Sequence, residues 1–378
     1  MKKVLLVMVV LGSFGLLACS TAEPETIIVE KEVVKEVIKE VPVEVETVKE
    51  VTKEVVVEKE VLVEKETLNW VFPGTYNPGH FGRSNQEKAN LMVYQATEGG
   101  LEIEYKQFGE IGLKGGEGLT LIRDGVYPMF EIIPAYVAGD RPEMNLYYLM
   151  GLAFDMDQIY QVSDGTVGMR DEVYAAYGGS RLPIYGDFSF APQGLFTKDE
   201  IKNIDDLQGV KVRHYSTLGA DLIRRVGMDP QIIAWAEVYT ALQRGVVDAA
   251  ITTPSSGTKA GFGEVTNYLT VIPQGGGLMD AIFNIDALNA LPSDYQAAIE
   301  EAGQVSSDGI KAQWESEASG NGPAKVALDG NLQHWVMDDE LVNEFVTRTA
   351  PGFDEWAKAS GPNARKWLDK ALEILGRK

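Results

Sequence analysis

Cysteine is almost missing from this chain. Among 378 residues only Cys19 is present, so no disulfide can close within one chain and no thiol nucleophile is available beyond residue 19. Histidine is nearly as scarce. His80, His214 and His334 stand far apart, without the spacing of a metal site. No Gly-x-Ser-x-Gly elbow occurs. Gly115-Gly116-Glu117-Gly118 is glycine-rich but lacks the Gly-Lys-Ser/Thr ending of a phosphate loop, and reads as a turn before a helix. No cofactor is implied, and enzymatic activity has no positive support. Basic residues are also few: 34 Lys and Arg face 56 Asp and Glu, for a net charge of −22. That balance argues against nucleic acid and anionic lipid surfaces as partners. Any anionic ligand must therefore be held by a local positive site against the overall field.

Long apolar runs are missing too. The longest, Val4 to Leu17, is too short to span a bilayer comfortably, and it follows the charged pair Lys2-Lys3. It ends in Leu16-Leu17-Ala18-Cys19, which resembles a bacterial lipoprotein cleavage box. The expectation is a signal peptide at 1–18 and a lipidated Cys19. The mature chain would then be extracytoplasmic and tied to a membrane by acyl chains. Residues 19–67 hold that cysteine and a low-complexity tract of Val, Glu and Lys. Ile27, Val34, Val41, Val48, Val55 and Leu62 recur every seven residues, but the companion seam position alternates Glu with Val. Its valines and Pro42 favour extended chain over helix. The tract reads as a stalk, with a coiled-coil device as the other reading.

What is present is a well-supplied core, with 45% apolar residues, six Trp and fifteen Tyr. The globular part begins near Leu68. Leu68–Phe72 reads as a strand, followed by a turn-rich loop through Gly79. A helix about Glu87–Glu98, a strand at Leu101–Phe108 and a helix about Gly118–Arg123 come next. Short strands such as Leu182–Tyr185 and Val210–His214 alternate with further helices. The alternation predicts an α/β protein with mainly parallel strands. Beyond Leu291-Pro292 the pattern turns helical, through Asp294–Ala302, a further run to Ala318, and Arg365–Leu375.

Two segments carry the functional signal. The first is Val210-Lys211-Val212-Arg213-His214, where strand alternation sends Lys211 and Arg213 to one face. Alternation alone would make Arg213 a solvated strand-end cation. The second is Glu237–Ala250, a short helix with Val238, Ala241 and Leu242 on its apolar face, ended by Gly245, with Val246-Val247 opening a buried strand.

Together, Arg213 with its lead-in Ile204-Asp205-Asp206-Leu207-Gln208-Gly209 and the Glu237–Ala250 segment resemble the DctP-type solute-binding proteins of TRAP (tripartite ATP-independent periplasmic) transporters. The resemblance covers residues 68–376 and is most specific in the middle third. It implies a two-domain periplasmic-binding-protein fold of type II-like form, with a ligand cleft and a long C-terminal helical region. One domain would take 68–190 plus 279–310, the other 191–278, and helices in 311–378 would pack across both. It further implies capture of a small organic acid and its delivery to separate membrane subunits of the transporter, with Arg213 gripping the carboxylate through two parallel N–H groups. Comparison in order along the chain nominates Gln193, where some relatives carry a second arginine, and Trp235, where relatives place an aromatic wall. It also nominates Thr252 and Thr253, where many read Glu-Asn-Pro. Tyr76 and Glu131 are candidates from the other domain. Ordinary loop or core roles remain open for Gln193, Trp235 and Tyr136. Two other classes stay open as well: a surface scaffold working through its stalk, and an enzyme acting on an organic acid.

Overall fold

The computed structural model describes residues 66–153, 156–181, 193–273, 278–318 and 321–377. The expected signal peptide, Cys19, nearly all of the stalk and the Leu182–Tyr185 strand lie outside these residues.

The first unit is β-α-β. Strand β1 (Leu68–Gly74) and strand β2 (Leu101–Gln107) pair in parallel, Leu68 opposite Leu101, with the helix Phe81–Ala96 between them in sequence. On β2, Leu101, Ile103, Tyr105 and Gln107 are buried while Glu102 and Glu104 are exposed, the period-two pattern of a strand with one covered face. The helix begins six residues earlier than the sequence suggests, because His80 caps it: Nδ1 accepts from the Gly82 N–H at 2.9 Å. Histidine is not a favoured cap, so the start was not legible.

Three further strands form an antiparallel sheet in the order β3 (Met129–Ile132), β10 (Asp280–Asn284), β4 (Gly179–Arg181). The remaining sheet has six strands, ordered β11-β9-β5-β8-β6-β7. These are β5 (Gly194–Thr197), β6 (Lys211–His214), β7 (Asp229–Ile232), β8 (Ala249–Thr252), β9 (Tyr268–Val271) and β11 (Gln333–His334). The sheets define two lobes, one built on β1–β4 with β10, the other on the six-stranded sheet.

The expectation of mainly parallel strands needs correction. Strand β6 runs parallel to β7 and β8, but β5 is antiparallel to β8 and β9, and β10 is antiparallel to both its neighbours. Both are the strands at which the chain first crosses to the other lobe's sheet, β5 after β4 and β10 after β9.

Three local expectations also change. The strand after Gly245 starts at Ala249, not Val246, and Val246 is exposed. Gly245 does end the helix Val238–Gln243 in a left-handed conformation, φ +71°, and Val238, Ala241 and Leu242 are all buried. The two helical runs after Pro292 are a single 26-residue helix, Ser293–Ala318, about 39 Å long. It packs along Phe81–Ala96, with Trp314 edge-on to Phe81 at 4.7 Å. Finally, the helical C-terminal region also contributes a short strand, β11, to the edge of the six-stranded sheet. Its last helices, Asp339–Thr349, Pro351–Ser360 and Pro362–Ile374, lie on Thr217–Arg225 and Met156–Gly165. Among the described residues no helix is long and apolar enough to cross a membrane.

Candidate functional site

A cleft partly open to solvent lies between residues of both lobes. One lobe supplies Thr75, Tyr76 and His80 from the loop after β1, with Met279 just before β10; the other supplies Gln193, Arg213, Trp235, Thr252 and Thr253.

Arg213 is its chemical centre. The guanidinium is 1% exposed, which rules out a solvated strand-end arginine. Both faces of β6 are covered here, so alternation could not tell a buried polar face from a wet one. Nε donates to the Ile233 carbonyl at 3.0 Å and Nη1 to the Ile251 carbonyl at 3.0 Å. These carbonyls belong to the chain at β7 and in β8, the two strands that flank β6. The Arg213 Cζ lies 5.4 Å from the Tyr215 ring centroid and 5.7 Å from that of Trp235. Burial pulls the guanidinium below its usual range, against the influence of Tyr136 and then Tyr215. Tyr136 favours the charge both by proximity and by a side-chain hydrogen bond, although no contact of Nη2 reaches regular hydrogen-bond geometry among the described residues. No carboxylate is among the groups that bias Arg213. A buried cation without an anion is costly.

Arg170 shows the contrast. It is equally buried, but its Nε stands 3.1 Å from Asp280 Oδ2, which also accepts from the Tyr174 hydroxyl. One buried arginine carries its own anion; the other has none beside it among the described residues.

The other nominated residues fall as follows. Gln193 is 1% exposed and its Oε1 accepts from the Tyr215 hydroxyl at 3.0 Å, so it is not a solvated loop residue. Trp235 is half-buried on the turn Trp235–Glu237, tilted against Phe262 at 5.7 Å, and faces both core and cleft. Thr252 ends β8; Thr253 donates to Ser256 Oγ at 2.7 Å and precedes Pro254, the first residue of a helix. Tyr76 is buried, its hydroxyl has no partner among the described residues, and its ring stacks on His80 at 4.6 Å. Glu131 does not line the cleft. It sits fully buried behind Thr75, accepting from the Thr75 N–H at 2.8 Å and from the Thr75 hydroxyl, with Tyr105 donating to its other oxygen at 3.3 Å. Burial pushes the Glu131 carboxyl up to about 7, against the pull of those hydrogen bonds.

Sequence reasoning missed His80, Thr75, Tyr215 and Met279. His80 is held neutral: burial first, then the nearby Lys259, bring it down to about 3. With Nδ1 accepting from Gly82, its proton belongs on Nε2, which faces Ser255 and Ser256 of the other lobe at 3.5 and 3.4 Å. No spacing rule finds such a residue. Tyr215 had a signal, since it continues the 211, 213 alternation. Arg225 also differs from a bystander: its Nη2 pairs with Glu355 Oε2 at 2.5 Å, holding a C-terminal helix.

Comparison with known proteins bears on the fold and the family. The monocarboxylate 2-oxoacid-binding periplasmic protein of a Nostoc species is 26% identical over 221 residues, 57% of this chain and 60% of its own. The 2,3-diketo-L-gulonate-binding periplasmic protein of Escherichia coli is 24% identical over 265 residues, 68% of this chain and 80% of its own. A Bordetella pertussis extracytoplasmic solute receptor that binds pyroglutamic acid superposes with a TM-score of 0.73 at 22% identity, covering 81% of this chain and 100% of that one. It shares the two-domain α/β fold. The family model for DctP, the bacterial extracellular solute-binding proteins of family 7, matches residues 78–336. The chain belongs to that family.

Proposed function

We propose that this chain is an extracytoplasmic receptor that captures a small organic acid by its carboxylate and delivers it to the membrane subunits of a TRAP-type transporter. One observation carries the reading: Arg213 is a buried cation, fixed by two main-chain carbonyls and favoured by the neighbouring Tyr136, with no carboxylate beside it among the described residues. A ligand carboxylate would compensate that charge. In a site shielded from water such a charge-assisted pair gains strength. The aromatic rings of Tyr76, Tyr136, Tyr148, Tyr215 and Trp235 supply apolar area around it. Gln193, Trp235, Thr252, Thr253 and Tyr76 are proposed as further contacts, and Glu131 as a residue acting from behind the wall. The relatives bind organic acids according to their names, which supports the class of ligand without fixing the compound.

In the same reading Cys19 carries the lipid that holds the receptor at the membrane, the stalk spaces the domain from it, and the protein catalyses nothing. The two domains would take residues 68–190 with 279–310 and residues 191–278, with 311–378 packed across both.

The test is a thermal-shift screen of monocarboxylates, dicarboxylates, 2-oxo acids and sugar acids. At least one acid should raise the melting temperature at millimolar concentration. If none does, the acid-receptor reading fails.

A further inference from the structure

The cleft is electrically lopsided. Among the described residues that line it, Arg213 is the one cation. The wall from the other lobe is backed by a buried carboxyl, because Thr75 lines the cleft and both its N–H and its hydroxyl donate to Glu131 Oε1. A hydroxyl has one proton. With that proton committed to Glu131, Thr75 offers the cleft only its acceptor lone pairs. The Tyr76 backbone N–H is likewise turned away, toward the Tyr105 hydroxyl at 2.8 Å, and that hydroxyl donates to Glu131 Oε2. These donors are thus spent on Glu131 or on its partner. Beside them stand Met279 and Ile133, which have no charge to offer.

We propose that Glu131, acting in part through Thr75, makes the cleft selective for acids with one negative charge. The group such an acid turns toward Thr75 would be apolar or a hydrogen-bond donor, such as a hydroxyl or amide N–H. A second carboxylate there would meet acceptor lone pairs and a buried negative charge, with no cation among the described lining residues of that wall to balance it. Glu131 is a positioning residue in this scheme: it sets the polarity of the wall without touching ligand. The inference rests on the reading that a ligand carboxylate docks on Arg213. The raised Glu131 carboxyl, about 7, is that of a group with no cationic partner.

Calorimetry at pH 8 on the whole protein tests it with acids matched in length: butanoate against succinate, hexanoate against adipate, and 2-oxopentanoate against 2-oxoglutarate. Wild type should bind the best monocarboxylate about tenfold or more tightly than its dicarboxylate match. Glu131→Gln, which keeps the shape and removes the charge, should shrink that ratio several-fold. Thr75→Val, which removes one hydrogen bond but keeps the charge, should leave most of the preference in place. A wild-type preference for dicarboxylates overturns the inference and leaves the receptor reading intact. So does an unchanged ratio in Glu131→Gln, or a collapse in Thr75→Val as complete as in Glu131→Gln. Failure of every acid to bind wild type sinks the receptor reading itself.

Discussion

The ring of Tyr76 rests directly on the backbone of Gly82, so closely that a β-carbon built on Gly82 would stand 2.3 Å from the ring's Cζ. Gly82 lies in the first turn of the helix Phe81–Ala96. Glycine is needed there for closeness of approach, since this residue is absent from the positive-φ glycines. Gly82→Ala should push the Tyr76 ring off its seat and toward the cleft. We expect a loss of about 1–3 kcal/mol in stability together with weaker ligand binding. Gly139→Ala is the control, because nothing lies within 4 Å of its added methyl. Equal melting curves for the two variants would show that Tyr76 gives way freely.

Arg213→Ala should remain folded and lose about two orders of magnitude or more in affinity for the cognate acid, a cost of roughly 2–5 kcal/mol. Arg213→Lys should recover only part, since an ammonium cannot reproduce the planar fork that now bonds two carbonyls. Arg224→Ala is the proper control, for Arg224 is exposed and paired only with Asp221 within its own helix. Calorimetry on the three variants decides it. Near-native affinity in Arg213→Ala would remove this residue from the site.

The Glu131 carboxyl predicts a pH dependence of stability in the unliganded protein. Its value in the folded state, about 7, lies above the ordinary 4.5. The folded protein therefore holds this proton more tightly than the unfolded chain does. The associated stability is fully present below about pH 4.5 and is lost as pH rises through 7. The total is on the order of 3 kcal/mol. Glu131→Gln should lack this component, so its melting temperature should gain on wild type between pH 5 and pH 8. Parallel melting-temperature profiles would contradict the assignment.

Asp280→Asn should be far more damaging to the fold than to the site. It leaves the fully buried Arg170 without its anion and disturbs the Tyr174 hydrogen bond. Breaking one partner of a buried pair typically costs about 3–5 kcal/mol. Denaturant unfolding should show that loss, while the affinity of the molecules that remain folded stays near wild type. A stability change under about 1 kcal/mol would mean that Arg170 finds another partner.

How much of this was legible beforehand varied by residue. Strands β1, β2 and β6 and the helix Gly118–Arg123 were plain from periodicity, within a residue or two. The sense of β5 and β10 was not, because strand direction depends on which distant strand becomes the neighbour, and no local pattern records that. Arg213 could be placed on a strand face, but whether that face was wet or enclosed depended on Trp235, Tyr215 and Tyr136, residues distant or ambiguous in sequence. His80 was invisible because its role comes from stacking on Tyr76 and facing Ser255 and Ser256. Glu131 was found as a candidate, yet its place behind Thr75 needed the tertiary arrangement.

The two carbonyls that hold Arg213 are main-chain atoms of Ile233 and Ile251. Main-chain acceptors exist whatever the side chain, so the clamp on the cation does not depend on which residues line the rest of the cleft. A receptor built this way separates what is inherited from what is free to drift: the charge-reading device stays in place while the surrounding side chains are traded, and a lineage can change its diet without rebuilding its grip.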